Sequence, residues 1–521
     1  MKAFLETNQD SIVGVLTTFD RIIFKGHLTG FFPRGAFARF LWRQGVLLKD
    51  FKPYVERATA TLKVHAKQFA EEHGRQYLYL ASAKTHASGE SKEDLARAIA
   101  EEEGITEGLI CVFSCVEPCK SFRIRGNRET HKLEVVYEPR KCLHFYFYFI
   151  DPEFGFMHVR LQSWFPFEIQ VYINGHEWLA RQMDQRGIKY ERYDNCFTYI
   201  EDLETAQQLC ERLAHRKWPR VLNAFARRLN PMLPTIKAAG FGEYYWVTDQ
   251  CEVATDVMFQ NRASLEAILP DLFEHAALHF SAEDVLRFLG RKLHGNFKGE
   301  VKTSLKKRPE GCRVKHCMKR NNIKMYDKWS VLRIETTINN PREFKVLKVV
   351  ETPEGDTRRW MPMGKGVANF WRYSQVGTQA NHRYLEALAH VQPKGEAIQA
   401  LDDLCRSRIK DGKRYAKFNP VTKQDCALFA AVLSGEHAIN GFRNRDLRNH
   451  LYDRPPATPQ EAKRRCARIS RLIAKLRGHG LIMKVKNARL YRVTQRGHQV
   501  MFAALQFRST GFPNAYLHAP A

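Results

Sequence analysis

The sequence has no apolar run of about 18 residues, the length a helix needs to cross a membrane, so no spanning segment is expected. Its opening, MKAFLETNQD, lacks the apolar core of a secretory signal, which predicts a cytoplasmic protein. No segment repeats at a solenoid period and none is of low complexity, so repeat arrays are excluded. Acidic residues are short: 56 Asp and Glu stand against 83 Lys and Arg, a formal net charge of +27. A surplus that large predicts a polyanionic partner, nucleic acid before all others. An anionic membrane surface is the rival, but no basic amphipathic segment stands alone, and no membrane partner is expected. Cysteine is sparse, with 12 in 521 residues, as suits free thiols in a reducing compartment. Cys111, Cys115 and Cys119 recur every four residues, yet the flanking LICVFSCV reads as a strand that scatters them. Cys312, His316 and Cys317 read as part of a basic loop without a second ligand pair, so zinc is not expected at either place.

What the chain does contain is material for cores. Hydrophobic residues make up 44% and aromatics 12%, the balance of a folded protein. At roughly 150 residues per domain the length predicts about three units or more. Residues 1–140 read as an α+β module. SIVGVLTTFDRIIF is β-rich, while Pro53 to His73 and Ser91 to Glu103 carry helical periodicity, the second opened by Ser91 with Asp94 and closed by Gly104. Asp20 is the one acid in TFDRIIFKGHL, and a surface salt bridge to Arg21 or Lys25 is its simplest role.

From Lys141 the pattern turns to strands. KCLHFYFYFI, FGFMHVRLQSW and FEIQVYIN are separated by links short enough for an antiparallel meander. GHEWLARQMDQRG follows as a helix closed by Gly187, IKYERYDNCFTYI as a strand, and DLETAQQLCERLAHR as a helix capped by Asp202. His144 and His158 fall on neighbouring strands and read as satisfied sheet residues.

The order β-β-β-α-β-α in residues 141–290 resembles the ribonuclease H-like fold. That resemblance implies carboxylates gathered around divalent ions, Mg²⁺ or Mn²⁺, for phosphodiester cleavage or strand transfer. Placed on this frame, Asp151 ends the first strand, Glu177 opens the first helix and Asp194 lies in the fourth strand. Glu252 or Asp256, in QCEVATDVMF, falls on an expected helix. Asp151, Glu177, Asp194 and Asp256 are the expected metal ligands, with Glu252 a fifth catalytic candidate. Such chemistry needs oxygen ligands because charge develops on both the attacking and the leaving oxygen. Plain structural roles exist for each: DPEFG suits a tight turn, Glu177 complements a helix N-terminus, and Asp194 suits a cap or turn.

Residues 291–410 form a basic region. Its first part, 291–328, holds 13 Lys or Arg against 3 Asp or Glu. IKMYDKWSVLRIETTIN follows as a hairpin turning around Asp327 to Ser330, and NHRYLEALAHV and AIQALDDLCRSRI read as helices. Lys315, Arg320, Lys324, Lys328 and Arg333 are expected to hold phosphates. KMYDKWSVLRIET also resembles the Tyr strand and Arg-x-Glu strand of some rolling-circle replication initiators, which implies Tyr326 as a nucleophile and Glu335 near a metal.

After DGKRYAKFNP, a linker ending in Pro420, residues 421–507 read as three helices, a two-stranded hairpin around Asn487-Ala488 and a further helix. This is the winged helix-turn-helix order, and GLIMKVKNARLYRVTQRG resembles MarR-like regulators. Along the third helix Arg464, Arg465, Arg468, Arg471 and Lys475 form a basic face over Ile469, Leu472, Ile473 and Leu476, the pattern of a helix entering a major groove.

The whole chain resembles a family of large bacterial proteins with a MarR-like tail, which implies the bacterial cytoplasm and no particular chemistry. The expectation is a mixed α+β multidomain protein that acts on nucleic acid, DNA favoured over RNA, as a metal-dependent nuclease or transposase-like phosphoryl transferase. A non-catalytic winged-helix regulator and an RNA-binding protein are the alternatives, and a homo-oligomer is left open.

Overall fold

A computed structural model of the chain describes residues 1–80, 91–291, 300–308, 311–352, 355–389, 402–485 and 488–513. The elements needed below are, in chain order, β1 (Ile12–His27), α1 (Phe51–Glu72), β2 (Gln76–Leu80), α2 (Lys92–Glu102), β3 (Gly108–Gly126), β4 (Leu133–Asp151), β5 (Gly155–Gln162) and β6 (Ile169–Asn174). Next come α3 (Gly175–Asp184), β7 (Tyr190–Tyr193), β8 (Cys196–Ile200), α4 (Leu203–Ala214) and β9 (Tyr245–Phe259). Then follow β10 (Val301–Arg308), β11 (Gly311–Met318), β12 (Asn321–Lys328), β13 (Val331–Ile338) and α5 (Phe370–Leu388).

The protein is mixed α+β, built on an eleven-stranded sheet in the order β10-β11-β12-β13-β9-β1-β6-β5-β4-β3-β2. Only β2 joins its neighbour in parallel; the other pairs along the sheet are antiparallel. The sheet runs through residues 1–140, 141–290 and 291–410, so three segments expected as separate units share one framework. Long-range strand pairing between them left no mark in local composition.

Several local expectations are met. Ser91 and Asp94 form a reciprocal capping box at α2, Asp202 caps α4, and β4, β5 and β6 make the antiparallel meander. β12 and β13 form the expected hairpin. The helix expected over 397–409 falls partly outside the described residues, as does Asn487 of the hairpin turn in the tail.

Other expectations are corrected. QCEVATDVMF is not a helix but the second half of β9, wedged between β1 and β13. Its Val and Thr side chains suit a pleated, doubly covered strand, and alternation sends Glu252 and Asp256 to one face while Val253 and Thr255 face the other. IKYERYDNCFTYI is not a single strand: Asp194 takes φ 50° and turns it into the β7–β8 ribbon, which pairs with itself and stands apart from the large sheet. The meander and helix of the expected ribonuclease H-like order are therefore present without its fourth sheet strand. Cys312, His316 and Cys317 lie on β11, because the basic stretch alternates between half-buried Arg313, Lys315 and Cys317 and fully buried Val314, His316 and Met318.

α5 packs on the apolar underside of β9 and β13. The fit is close because a Cβ at Gly377 would lie 2.5 Å from that of Val253. Asn381 secures the contact, donating to the Val253 carbonyl at 2.9 Å and accepting from Thr336 at 2.7 Å. The opposite face of the same strands carries the charged residues.

The C-terminal region has its own core, including Leu428, Phe429, Val432, Leu447, Ile469, Ile473, Leu476 and Met501. Four helices where three were expected, Lys423–Val432, Gly435–Asn440, Asn444–Leu451 and Pro459–Gly478, lead to the antiparallel strands Ile482–Lys484 and Tyr491–Val493 and a helix at Gln495–Gln506. A bridge between Phe442 and Tyr491 ties the segment after the second helix to the hairpin. No helix among the described residues is long and apolar enough to cross a membrane.

Candidate metal centre

The site begins with an irregularity in β1. Phe19 faces Val253 and Ile22 faces Cys251, so Asp20 and Arg21 together oppose Glu252. Such a bulge bends the strand and re-aims side chains, and here it places Asp20 on the charged face. The start of α3 presses against the bulge because residue 175 is glycine: a Cβ there would lie 2.1 Å from the Phe19 carbonyl oxygen. Asn174 caps that helix by accepting from the backbone N–H groups of His176 and Glu177. His176 is thereby sealed between two acids, with Nδ1 3.4 Å from Asp20 and Nε2 3.2 Å from Asp256.

Across β9, Arg333 grips Asp256 with both arms, Nε to Oδ1 at 2.6 Å and Nη2 to Oδ2 at 2.8 Å, the two-pronged geometry that suits guanidinium and carboxylate. Nη2 also donates to the Asn195 carbonyl at 2.5 Å, and Nη1 lies 3.7 Å from Asp20. The Asn195 side chain donates to Asp20 in turn. Burial works to raise the Asp20 carboxyl, but hydrogen bonding from His176 and the charge of Arg333 outweigh it and hold the group far below the usual carboxylate range. Asp256 is lowered against burial by Arg333 and His176.

One row further along the face lies a second group. Lys324 of β12 stands opposite Glu335 of β13 and contacts it, while its Nζ is 3.1 Å from Glu252. Thr337 and Gln250 also donate to Glu252, at 3.1 and 3.0 Å. One carboxylate oxygen from each of Asp20, Glu252 and Glu335 lies within 4.8 Å of the other two. Burial, helped by the charges of Glu252 and Asp20 and opposed by Lys324, pushes Glu335 up to about 8.

The charge balance of the face is unequal. Asp20, Glu252, Asp256 and Glu335 face two permanent cations, Lys324 and Arg333, with His176 between Asp20 and Asp256. With all four acids ionised, the carboxylates outnumber the permanent cations by two. A proton on Glu335 cancels one; a divalent cation among three hard oxygen ligands cancels both.

Of the carboxylates expected from the sequence, two belong to this triad: Glu252, placed by the ribonuclease H-like frame, and Glu335, placed near a metal by the initiator-like strand. Asp256 lies beside it but is committed to Arg333 and His176. Asp151 closes its own turn by accepting from the N–H groups of Glu153 and Phe154, Glu177 pairs with Arg192 at 2.9 Å, and Asp194 pairs with Lys328 at 2.7 Å. They do not converge with it, because each sits at a turn or helix start with a local partner. Asp20 pairs with neither of its expected cations: Arg21 goes to Glu93, and Lys25 to Glu168 and Asp249. The signal for it was its isolation as the only acid in an apolar basic strand, while His176, Asn174 and Asn195 offered none.

The basic residues of the central region also differ from free phosphate contacts. Lys324, Lys328 and Arg333 are each paired with carboxylates, whereas Arg320 is exposed and Lys315 half-buried. Tyr326 shares the charged face, opposite Arg333, and burial raises its phenol, the direction that disfavours a nucleophilic phenolate. In the tail, Arg464, Arg468 and Arg471 are exposed. Arg465 pairs with Glu461 and covers Tyr452, and Lys475 lies 3.8 Å from the Phe418 ring centre. Away from this face, Cys119, no partner of Cys111 or Cys115, meets Cys142 at 2.7 Å beside His144.

Comparison with known proteins finds no matching family model, no curated protein and no solved structure.

Proposed function

We propose that the protein is a divalent-metal-dependent enzyme that cleaves or transfers nucleic-acid phosphodiester bonds, DNA before RNA, at the Asp20, Glu252 and Glu335 triad. The observation that carries this reading is the triad itself: three strands deliver three carboxylates to one buried point with a charge deficit that suits Mg²⁺ or Mn²⁺. When bound, the ion supplies Lewis-acid stabilisation of charge on the phosphate oxygens. Lys324 orients Glu252 and Glu335 and would offer a cation to a substrate phosphate. Arg333, Asp256 and His176 hold Asp20 in place. The chemistry is that implied by the ribonuclease H-like resemblance, moved to a different set of residues and a different sheet position.

The tail fits a winged helix-turn-helix that reads duplex nucleic acid. Its helix order, the Phe442–Tyr491 bridge and the exposed Arg464, Arg468 and Arg471 support that role.

Nicking of supercoiled plasmid with Mg²⁺ tests the proposal. Wild type and Asp151→Asn should cleave alike, Glu335→Gln and Asp20→Asn should lose activity by at least about a hundredfold, and no protein should remain joined to the product through Tyr326. Equal activity in all four proteins would refute the assignment, and equal inactivity would favour the non-catalytic regulator.

A further inference from the structure

At the end of the sheet an open groove of about 1020 Å³ runs between the β7–β8 ribbon and the β12–β13 turn. Three large rings stand in or over it half in solvent: Trp329 is 50% exposed, Tyr193 41% and Tyr199 45%. Trp329 and Tyr193 stack across the groove, their centres 5.6 Å apart and their planes 25° from parallel. Arg192 and Arg262 also line it, and Lys328 reaches across from the turn to Asp194.

The backbone at Trp329 makes this arrangement unusual. Trp329 is the first of two residues joining β12 to β13, and it takes φ 58°. Glycine is the favoured residue at that position of a two-residue hairpin, and a bulky side chain is strained there. The ring gives little to the core in return, being half exposed. Arg262 fixes the turn from outside, donating to the Trp329 carbonyl at 2.6 Å and pairing with Asp327. A strained residue held in place by its surroundings, with its side chain offered to solvent, points to a ligand.

The ribbon that forms one wall of the groove is tied to the metal centre by a chain of contacts. Tyr193 is followed by Asp194, which Lys328 holds, and by Asn195, whose amide donates to Asp20 and whose carbonyl accepts from Arg333. We propose that the groove binds unpaired bases of a single-stranded nucleic acid, which extend the Tyr193–Trp329 stack. Exposed rings offer their faces to any unstacked base, whereas the bases of a duplex are already stacked on one another. The partner is expected to be polyanionic because the chain carries a net charge of +27. The inference rests on the function proposed above and names its substrate as single-stranded where it crosses the groove.

The test is fluorescence anisotropy of labelled dT30, U30 and a 30-base-pair duplex with the full chain in EDTA, where no cleavage occurs. Three variants are compared: Trp329→Gly, Trp329→Phe and Glu335→Gln. Glycine suits φ 58°, so Trp329→Gly should melt no lower than wild type, yet bind dT30 and U30 about fivefold or more weakly, the effect of losing one base–aromatic stack. Trp329→Phe should stay within about threefold of wild type, and duplex binding should change in neither. Single-strand binding by Trp329→Gly within about twofold of wild type overturns the inference, as does an equal loss on duplex. Loss for only one of dT30 and U30 supports the groove and fixes which sugar it accepts. Glu335→Gln keeps the two proposals apart: it should bind dT30 as wild type does. If it still cleaves while Trp329→Gly fails to bind, the groove stands and the assignment of the triad falls.

Discussion

Arg333 and Asp256 stand opposite each other in the β13–β9 register, joined at 2.6 and 2.8 Å, with both side chains almost wholly buried. Removing either partner leaves a buried charge without its main partner. Asp256→Ala and Arg333→Met should each lower stability by about 3–5 kcal/mol, measured by urea unfolding. The double variant should lose clearly less than the sum, because the second change removes the charge that the first left bare. Additive losses would mean that the pair does not act as a unit.

Glu335 gives the site a pH dependence of known sign. Its folded value, pushed up to about 8 chiefly by burial, lies above its ordinary 4.5, so the folded protein keeps a proton that the unfolded chain has released. The resulting stabilisation is full below about 4.5 and is lost as pH rises through about 8. Glu335→Gln mimics the neutral acid at every pH. Its melting temperature relative to wild type should therefore climb between those two values and level off above them. A metal ion must displace the same proton, so wild-type affinity for Mn²⁺, measured by calorimetry, should rise over that interval with proton release. The variant should show neither trend.

Much of the local structure was legible in the sequence. The strand around Asp20, the Ser91 capping box, the three-stranded meander, the Asp202 cap and the β12–β13 hairpin all follow from patterns a few residues long. The site was not, for a physical reason. Asp20 meets His176 and Arg333 only through contacts that span more than a hundred residues, and the bulge that aims it appears only as a slip in register. Glu252 and Asp256 stand out as candidates, yet a helix expected at that stretch hides the pairing with β1 and β13 that brings Glu252 to Asp20 and Asp256 to Arg333. Asp151 and Glu177 stood out because turns and helix starts favour acids, and that is the role they fill.

The tail should contribute electrostatically through its exposed arginines alone. Replacing Arg464, Arg468 and Arg471 together by alanine should reduce the slope of log affinity for duplex DNA against log salt by about 2–3. Arg465→Ala and Lys475→Ala should change it by well under one unit each, since Glu461 and Asp425 already engage those cations. A slope unchanged by the triple variant would place duplex binding elsewhere on the chain.

The central claim is that Asp20, Glu252 and Glu335 share one divalent ion. Anomalous diffraction from crystals of the protein soaked in Mn²⁺ tests it most directly. The account predicts a single strong peak about 2.1 Å from an oxygen of each of the three carboxylates, absent in Glu335→Gln. A peak at other carboxylates, or none at the triad at millimolar Mn²⁺, would contradict it.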